Sequence, residues 1–160
     1  MLTLPHHQQK TLHDCGPACL QMIFEYFGKM KTQEELSSRL CAGPDVWVAN
    51  EDLEKIAKEE GLYTKSMTGA MIDDLKRFVD AGVPTIINYI DPDNKEGHFA
   101  VVVDYTDEYI VLNDPWYGKD FPLPLEYIEN NWRSYEGERQ QWLLALSLTE
   151  INVSGFTRKI

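Results

Sequence analysis

From Cys15 to Phe27 the apolar residues Cys15, Cys19, Leu20, Met22, Ile23, Tyr26 and Phe27 recur at helical spacing, and Gly28 stands where a C-terminal cap belongs. This pattern predicts an amphipathic helix. Thr32 followed by Glu35 reads as a capping box that opens a short helix through Leu40. Asn50 or Glu51 opens another to about Glu60, and Met71 to Ala81 makes a fourth, with a short strand expected near Leu62 to Ser66. The period then changes. Pro84 to Ile90, Phe99 to Val103, Tyr109 to Asn113 and Trp142 to Leu148 are β-branched or apolar runs between turn residues and read as strands, interrupted by a short helix at about Leu125 to Trp132. Helices first and an antiparallel sheet afterwards define an α+β class.

Length and composition narrow this picture. A chain of 160 residues with 43% hydrophobic residues, including 4 Trp, 8 Tyr and 6 Phe, supplies a sizeable core, and such a chain buries roughly 70% of its unfolded surface. No repeat, low-complexity tract or Ser/Gly linker divides it, so residues 1–160 are expected to form a single domain. The 26 acidic residues against 15 basic ones leave a net charge of −11. That balance argues against nucleic acid or an anionic membrane as the main partner, since both require clustered Lys and Arg. The start of the chain lacks a basic region followed by an apolar one, no segment is apolar enough to span a membrane, and three cysteines match no disulfide framework. A cytoplasmic protein is expected.

Asp14-Cys15-Gly16-Pro17 carries the first chemical signal. Asp14 is placed to cap the helix, with Cys15 in its first turn and Pro17 where a missing N–H costs nothing. The positive helix end and a nearby imidazolium together stabilise a thiolate. Cys19, one turn on, reads as a small buried hydrophobe. A histidine and a carboxylate complete the arrangement. The strands Phe99 to Val103 and Tyr109 to Asn113 suggest a hairpin centred near Thr106, which sets Val102 opposite Ile110, Ala100 opposite Leu112 and His98 opposite Asp114. A carboxylate there can bond one imidazole nitrogen and leave the other for Cys15. His6, His7 and His13 compete as bases, His13 most seriously because it lies two residues from Cys15, yet none has a comparable carboxylate. A metal site from Cys15, Cys19 and a histidine lacks a clear fourth ligand, so no metal and no cofactor is expected. Core packing is the favoured role of Trp116 and Tyr117, while Trp47 with Val48, and Trp132, stay open between core and cleft.

Gln9-Lys10-Thr11-Leu12-His13-Asp14-Cys15-Gly16-Pro17-Ala18-Cys19-Leu20 resembles the cysteine signature of the bacteriocin-processing, double-glycine leader peptidases, which are papain-like. Gly97-His98-Phe99-Ala100-Val101-Val102 and Val111-Leu112-Asn113-Asp114-Pro115 are similar to that family's histidine strand and Asn-Asp-Pro corner, so the resemblance runs from Gln9 to about Trp132. It implies a papain-like fold and a cysteine peptidase acting on a peptide or protein. Cys15 would be the nucleophile, His98 the general base and then acid, and Asp114 the group that orients the imidazole. Gln9 would complete an oxyanion hole with the backbone N–H of Cys15. Members of that family are usually fused to membrane spans and an ATP-binding cassette, and this chain shows no phosphate-binding loop of that type. A separate transporter is therefore one partner to consider. Two other readings stay open: a non-catalytic peptide-binding module, and a papain-like enzyme that transfers the acyl group to an amine.

Overall fold

A computed structural model describes residues 1–134 and 140–153, so the expected 1–160 span includes two stretches outside the described residues. Three helices come first: α1 (Cys15–Tyr26), α2 (Gln33–Arg39) and α3 (Asn50–Glu59). The strand β1 (Tyr63–Met67) and helix α4 (Ile72–Asp80) follow, then β2 (Thr85–Ile90), β3 (Gly97–Tyr105), β4 (Tyr109–Asp114) and β5 (Gly118–Pro124). Helix α5 (Leu125–Asn131) and strand β6 (Leu143–Ser147) complete the order. The helices end where the chain chemistry says they should. Gly28 takes a φ of 76° just past α1, and the Thr32 side chain accepts the Glu35 N–H at the start of α2.

The six strands form one antiparallel sheet in the order β1-β6-β2-β3-β4-β5. Residues of α1, α2 and α3 pack with Ile86, Phe99, Val101, Leu144 and Leu146 on one face. Residues of α4 and α5 pack with Ile87, Tyr89, Ala100, Val102, Leu143 and Ala145 on the other. Helices thus cover both faces, which is why all six residues of β2 are buried and its sequence shows no polar alternation. No helix among the described residues is long and apolar enough to cross a membrane.

Two details depart from expectation. β5 carries Pro122 and Pro124 and does not read as a strand, but it lies at the sheet edge, where a missing N–H breaks no ladder. The β3–β4 hairpin also turns later than its polar stretch suggests. Thr106 closes the turn itself: its N–H reaches the Tyr109 carbonyl at 2.8 Å, and its hydroxyl accepts the N–H groups of Glu108 and Tyr109. Tyr105 therefore pairs with Ile110 and Asp104 with Val111, whereas past a bulge at Val103 the partners are Val102 with Leu112 and Val101 with Asn113. The expected pairing of Val102 with Ile110, and of His98 directly opposite Asp114, is corrected accordingly. One step further along the observed register, Asp114 would lie across from Ala100, two residues from His98 and on the same face.

Candidate active site

Cys15 opens α1 and is partly buried. Asp14 precedes it as expected, but its carboxylate makes no cap bond. It accepts instead from the Thr11 hydroxyl at 2.9 Å and the Ser37 hydroxyl at 2.7 Å, which turns its negative charge toward α2. Gly16 lets the helix start lie flush on its neighbours. A Cβ there would stand 3.3 Å from Leu53 Cδ2 and 3.5 Å from both Phe99 Cδ2 and Val48 Cγ1. Cys19 is fully buried, and burial, reinforced by Cys15 and Asp114, pushes its thiol well up, so it stays protonated and inert.

His98, near the start of β3, is 6% exposed and bonds Asp114 Oδ1 through Nε2 at 2.8 Å. Cys15, at the start of α1, is a neighbouring group that acts on the same ring. Burial works against an imidazolium here. The Asp114 carboxylate and the Cys15 sulfur outweigh it, and the His98 pKa is pushed up to about 10. Asp114 is fully buried, yet hydrogen bonds and the charge of His98 overcome its burial and hold it below the usual carboxylate range.

The residue that sequence reading missed is Tyr89. Its buried hydroxyl donates to Asp114 Oδ2 at 2.6 Å, and its ring meets His98 edge-on at 5.6 Å. A tyrosine in a strand buried on both faces needs a partner for its hydroxyl, and that was the available signal. The backbone N–H groups of Trp116 and Tyr117 donate to Asp114 Oδ1 at 2.8 and 3.0 Å, so the carboxylate is held from three directions. Trp116 itself is half-exposed rather than core. Tyr117 stacks on Phe121 and gives its hydroxyl to Asp91 and Asp93.

Gln9 is nearly buried beside the same corner. Its backbone N–H donates to the Pro115 carbonyl at 2.9 Å, and its side-chain amide donates to the Thr11 carbonyl at 2.9 Å. The Gln9 Oε1 oxygen has no partner among the described residues. The rival histidines are placed otherwise: His6 Nε2 contacts the Asp114 backbone carbonyl, His7 bonds Glu25, and His13 lines the cleft beside Cys15. That cleft, of ≈ 490 Å³, runs from Leu12 and His13 past Cys15 to Asn50, Asn88, Gly97 and Phe99, with Val46, Trp47 and Val48 along one side. Trp47 and Val48 thus belong to the cleft, whereas Trp132 is core and donates its indole N–H to the Trp142 carbonyl.

A helix-borne cysteine facing a sheet-borne imidazole, beneath helices packed on an antiparallel sheet, is the architecture of a papain-like cysteine peptidase. The model of the Peptidase C39 family matches residues 3–136, and the chain belongs to that family. It is a cysteine peptidase. Solved structures agree on the fold. A double-glycine motif protease from an AMS/PCAT transporter, in complex with the leader peptide, is 23% identical with a TM-score of 0.70, over 90% of this chain and 91% of that one. The peptidase domain of Streptococcus ComA is 20% identical with a TM-score of 0.73, over 93% of this chain and 100% of that one. A C39-like peptidase from Bacillus anthracis is 18% identical with a TM-score of 0.73, over 92% and 96%. No curated protein matches the chain at a significant level.

Proposed function

We propose that the chain hydrolyses peptide bonds of the leader-processing type through Cys15, His98 and Asp114, with Gln9 in the oxyanion hole. The observation that carries the reading is the buried His98–Asp114 bond, with Cys15 among the groups that raise the His98 pKa. An imidazolium held by a carboxylate is the counter-charge a thiolate requires. The thiolate attacks the substrate carbonyl carbon, and the charge passes to the carbonyl oxygen. The second Nε2–H of Gln9 and the Cys15 backbone N–H hold that oxygen. As the C–N bond breaks, the imidazolium gives its proton to the departing amine, leaving a thioester. The neutral ring then takes a proton from water, hydroxide adds to the thioester, and the thiolate leaves as the acid forms.

The double-glycine protease that is similar in fold was captured with a leader peptide, and this supports a peptide of that class as substrate here. We propose that the enzyme acts in the cytoplasm in concert with a peptide transporter. The test is iodoacetamide labelling across pH, read residue by residue by mass spectrometry, on the wild type and His98→Ala. Cys15 alone should react well below pH 8 and lose that reactivity without His98, while equal reaction of all three cysteines would reject the catalytic reading. Cys15→Ala should abolish peptide cleavage with the fold intact, and Cys19→Ala should retain a comparable chemical rate.

A further inference from the structure

Two amide side chains in the cleft have hydrogen-bonding capacity that the protein does not use. Asn50 begins α3 and is 5% exposed; Asn88 lies in β2 and is 8% exposed. Both line the cleft that holds Cys15. Asn88 pairs directly with Phe99 across β2 and β3, so the two side chains share a sheet face, and Phe99 in turn abuts Gly16, next to Cys15. One bond joins the amides, from Asn88 Nδ2 to Asn50 Oδ1 at 3.2 Å. Asn50 Nδ2 and Asn88 Oδ1 are left buried with no partner among the described residues.

Buried polar groups are almost always paired, because an unpaired one keeps its full desolvation cost. A pair of apolar side chains would fill the same space without that cost. Turning both amides over does not remove the vacancy, since two amides joined by one bond always retain a donor on one and an acceptor on the other. The complement of one donor beside one acceptor is a peptide group. In an extended chain a residue presents its own N–H and C=O to the same side, as in a hydrogen-bonded antiparallel pair.

We propose that Asn50 and Asn88 form a subsite that captures the main chain of an extended peptide substrate beside Cys15, the two amides turning toward the cleft on binding so that Asn50 Nδ2 donates to a substrate carbonyl and Asn88 Oδ1 accepts a substrate N–H. The inference rests on the peptidase reading and adds to it a recognition element indifferent to side-chain identity. Such a contact selects conformation rather than sequence, and works with whatever side-chain preferences the cleft walls impose.

The experiment uses the Cys15→Ala protein, which binds without cutting, and a synthetic peptide ending in Gly-Gly joined to aminocoumarin. A ladder of analogues replaces each backbone amide in turn by an ester, which deletes one N–H and leaves the side chains unchanged. One ester should weaken binding about tenfold, the loss of a single hydrogen bond, and that penalty should vanish when Asn88→Leu is added. Asn50→Leu with Asn88→Leu should bind the all-amide peptide at least as weakly as the parent binds the sensitive ester. Three outcomes overturn the subsite: no ester position stands out, the same penalty persists in Asn88→Leu, or the doubly substituted protein binds as tightly as its parent. The ladder leaves the Asn pair intact, so an absence of any sensitive ester overturns the subsite even if the leucine variants fold poorly. A failure of the peptidase reading shows separately, as ordinary thiol behaviour of Cys15 in the labelling assay.

Discussion

Replacing Asp114 by Asn keeps the shape of the side chain and removes its charge. The distance from an ordinary imidazole, near 6.5, to the value of about 10 at His98 corresponds to roughly 5 kcal/mol in favour of the imidazolium. After burial, which opposes it, the Asp114 carboxylate is the foremost cause, ahead of the Cys15 sulfur. Without that carboxylate, burial dominates, the ring is neutral near pH 6, and the sulfur faces no counter-charge. Iodoacetamide labelling of Cys15 in Asp114→Asn should therefore be slower than wild type at pH 6, with the gap narrowing as the pH rises. Stability supplies a second readout with a definite sign. A folded-state pKa raised above the ordinary imidazole value gives stabilisation that is complete below about 6.5 and lost as pH rises through about 10. The depressed Asp114 adds a share that is present above the ordinary carboxylate value and lost as pH falls. Wild type should thus melt above Asp114→Asn by the widest margin near pH 6, with the gap closing toward pH 10. Superimposable labelling profiles for the two proteins would refute the reasoning, whatever the melting points.

Two further substitutions probe neighbouring parts of the site. Gln9→Ala should lower kcat for peptide cleavage by about 10²–10³ with KM little changed, and an equal fall in alkylation of Cys15 would show that Gln9 shapes the thiolate instead of the oxyanion. Tyr89→Phe removes one buried hydrogen bond to a charged group, so denaturant melts should show a loss of about 1.5–3 kcal/mol. The acid limb of the Cys15 labelling profile should move to higher pH in the same variant, because Asp114 is then easier to protonate; an unmoved limb would make Tyr89 a packing residue only.

The helices were legible because their signals are local. The period from Cys15 to Phe27, the stop at Gly28 and the Thr32 cap each act within a turn or two, and α1, α2 and α3 lie where those signals put them. The pairing of His98 with Asp114, bonded at 2.8 Å, was also expected, from the family resemblance and from a hairpin register that was itself wrong. Features set by long-range neighbours were not. Pro122 and Pro124 hid β5, because whether a proline is tolerated in a strand depends on whether that strand is an edge. The hairpin register was missed because Thr106 closes its own turn and Val103 bulges, neither of which alters the hydrophobic pattern. The bulge also matters to chemistry. Carried on without it, the register of Tyr105 with Ile110 would set His98 and Asp114 on opposite faces of the sheet. Tyr89 and the Asn50–Asn88 pair were invisible for a related reason: a polar residue in a buried run announces that it needs a partner, and only the fold names it.

The first residues of the chain run along the strands that carry the acid. Leu2 N–H bonds the Val103 carbonyl, His6 meets the Asp114 carbonyl, Gln8 reaches the Trp116 carbonyl and Gln9 N–H bonds the Pro115 carbonyl. These contacts join positions about a hundred residues apart, the kind that close last because their loop entropy must be overcome first. A chain leaving the ribosome can form the Cys15 helix long before His98 and Asp114 have been made. On the proposed reading its sulfur then lacks both base and oxyanion donor, and an intermediate without the sheet should not cut its neighbours. On the proposed reading, competence for cleavage belongs to the finished fold, in which residues 2–9 are bonded to positions about a hundred residues away.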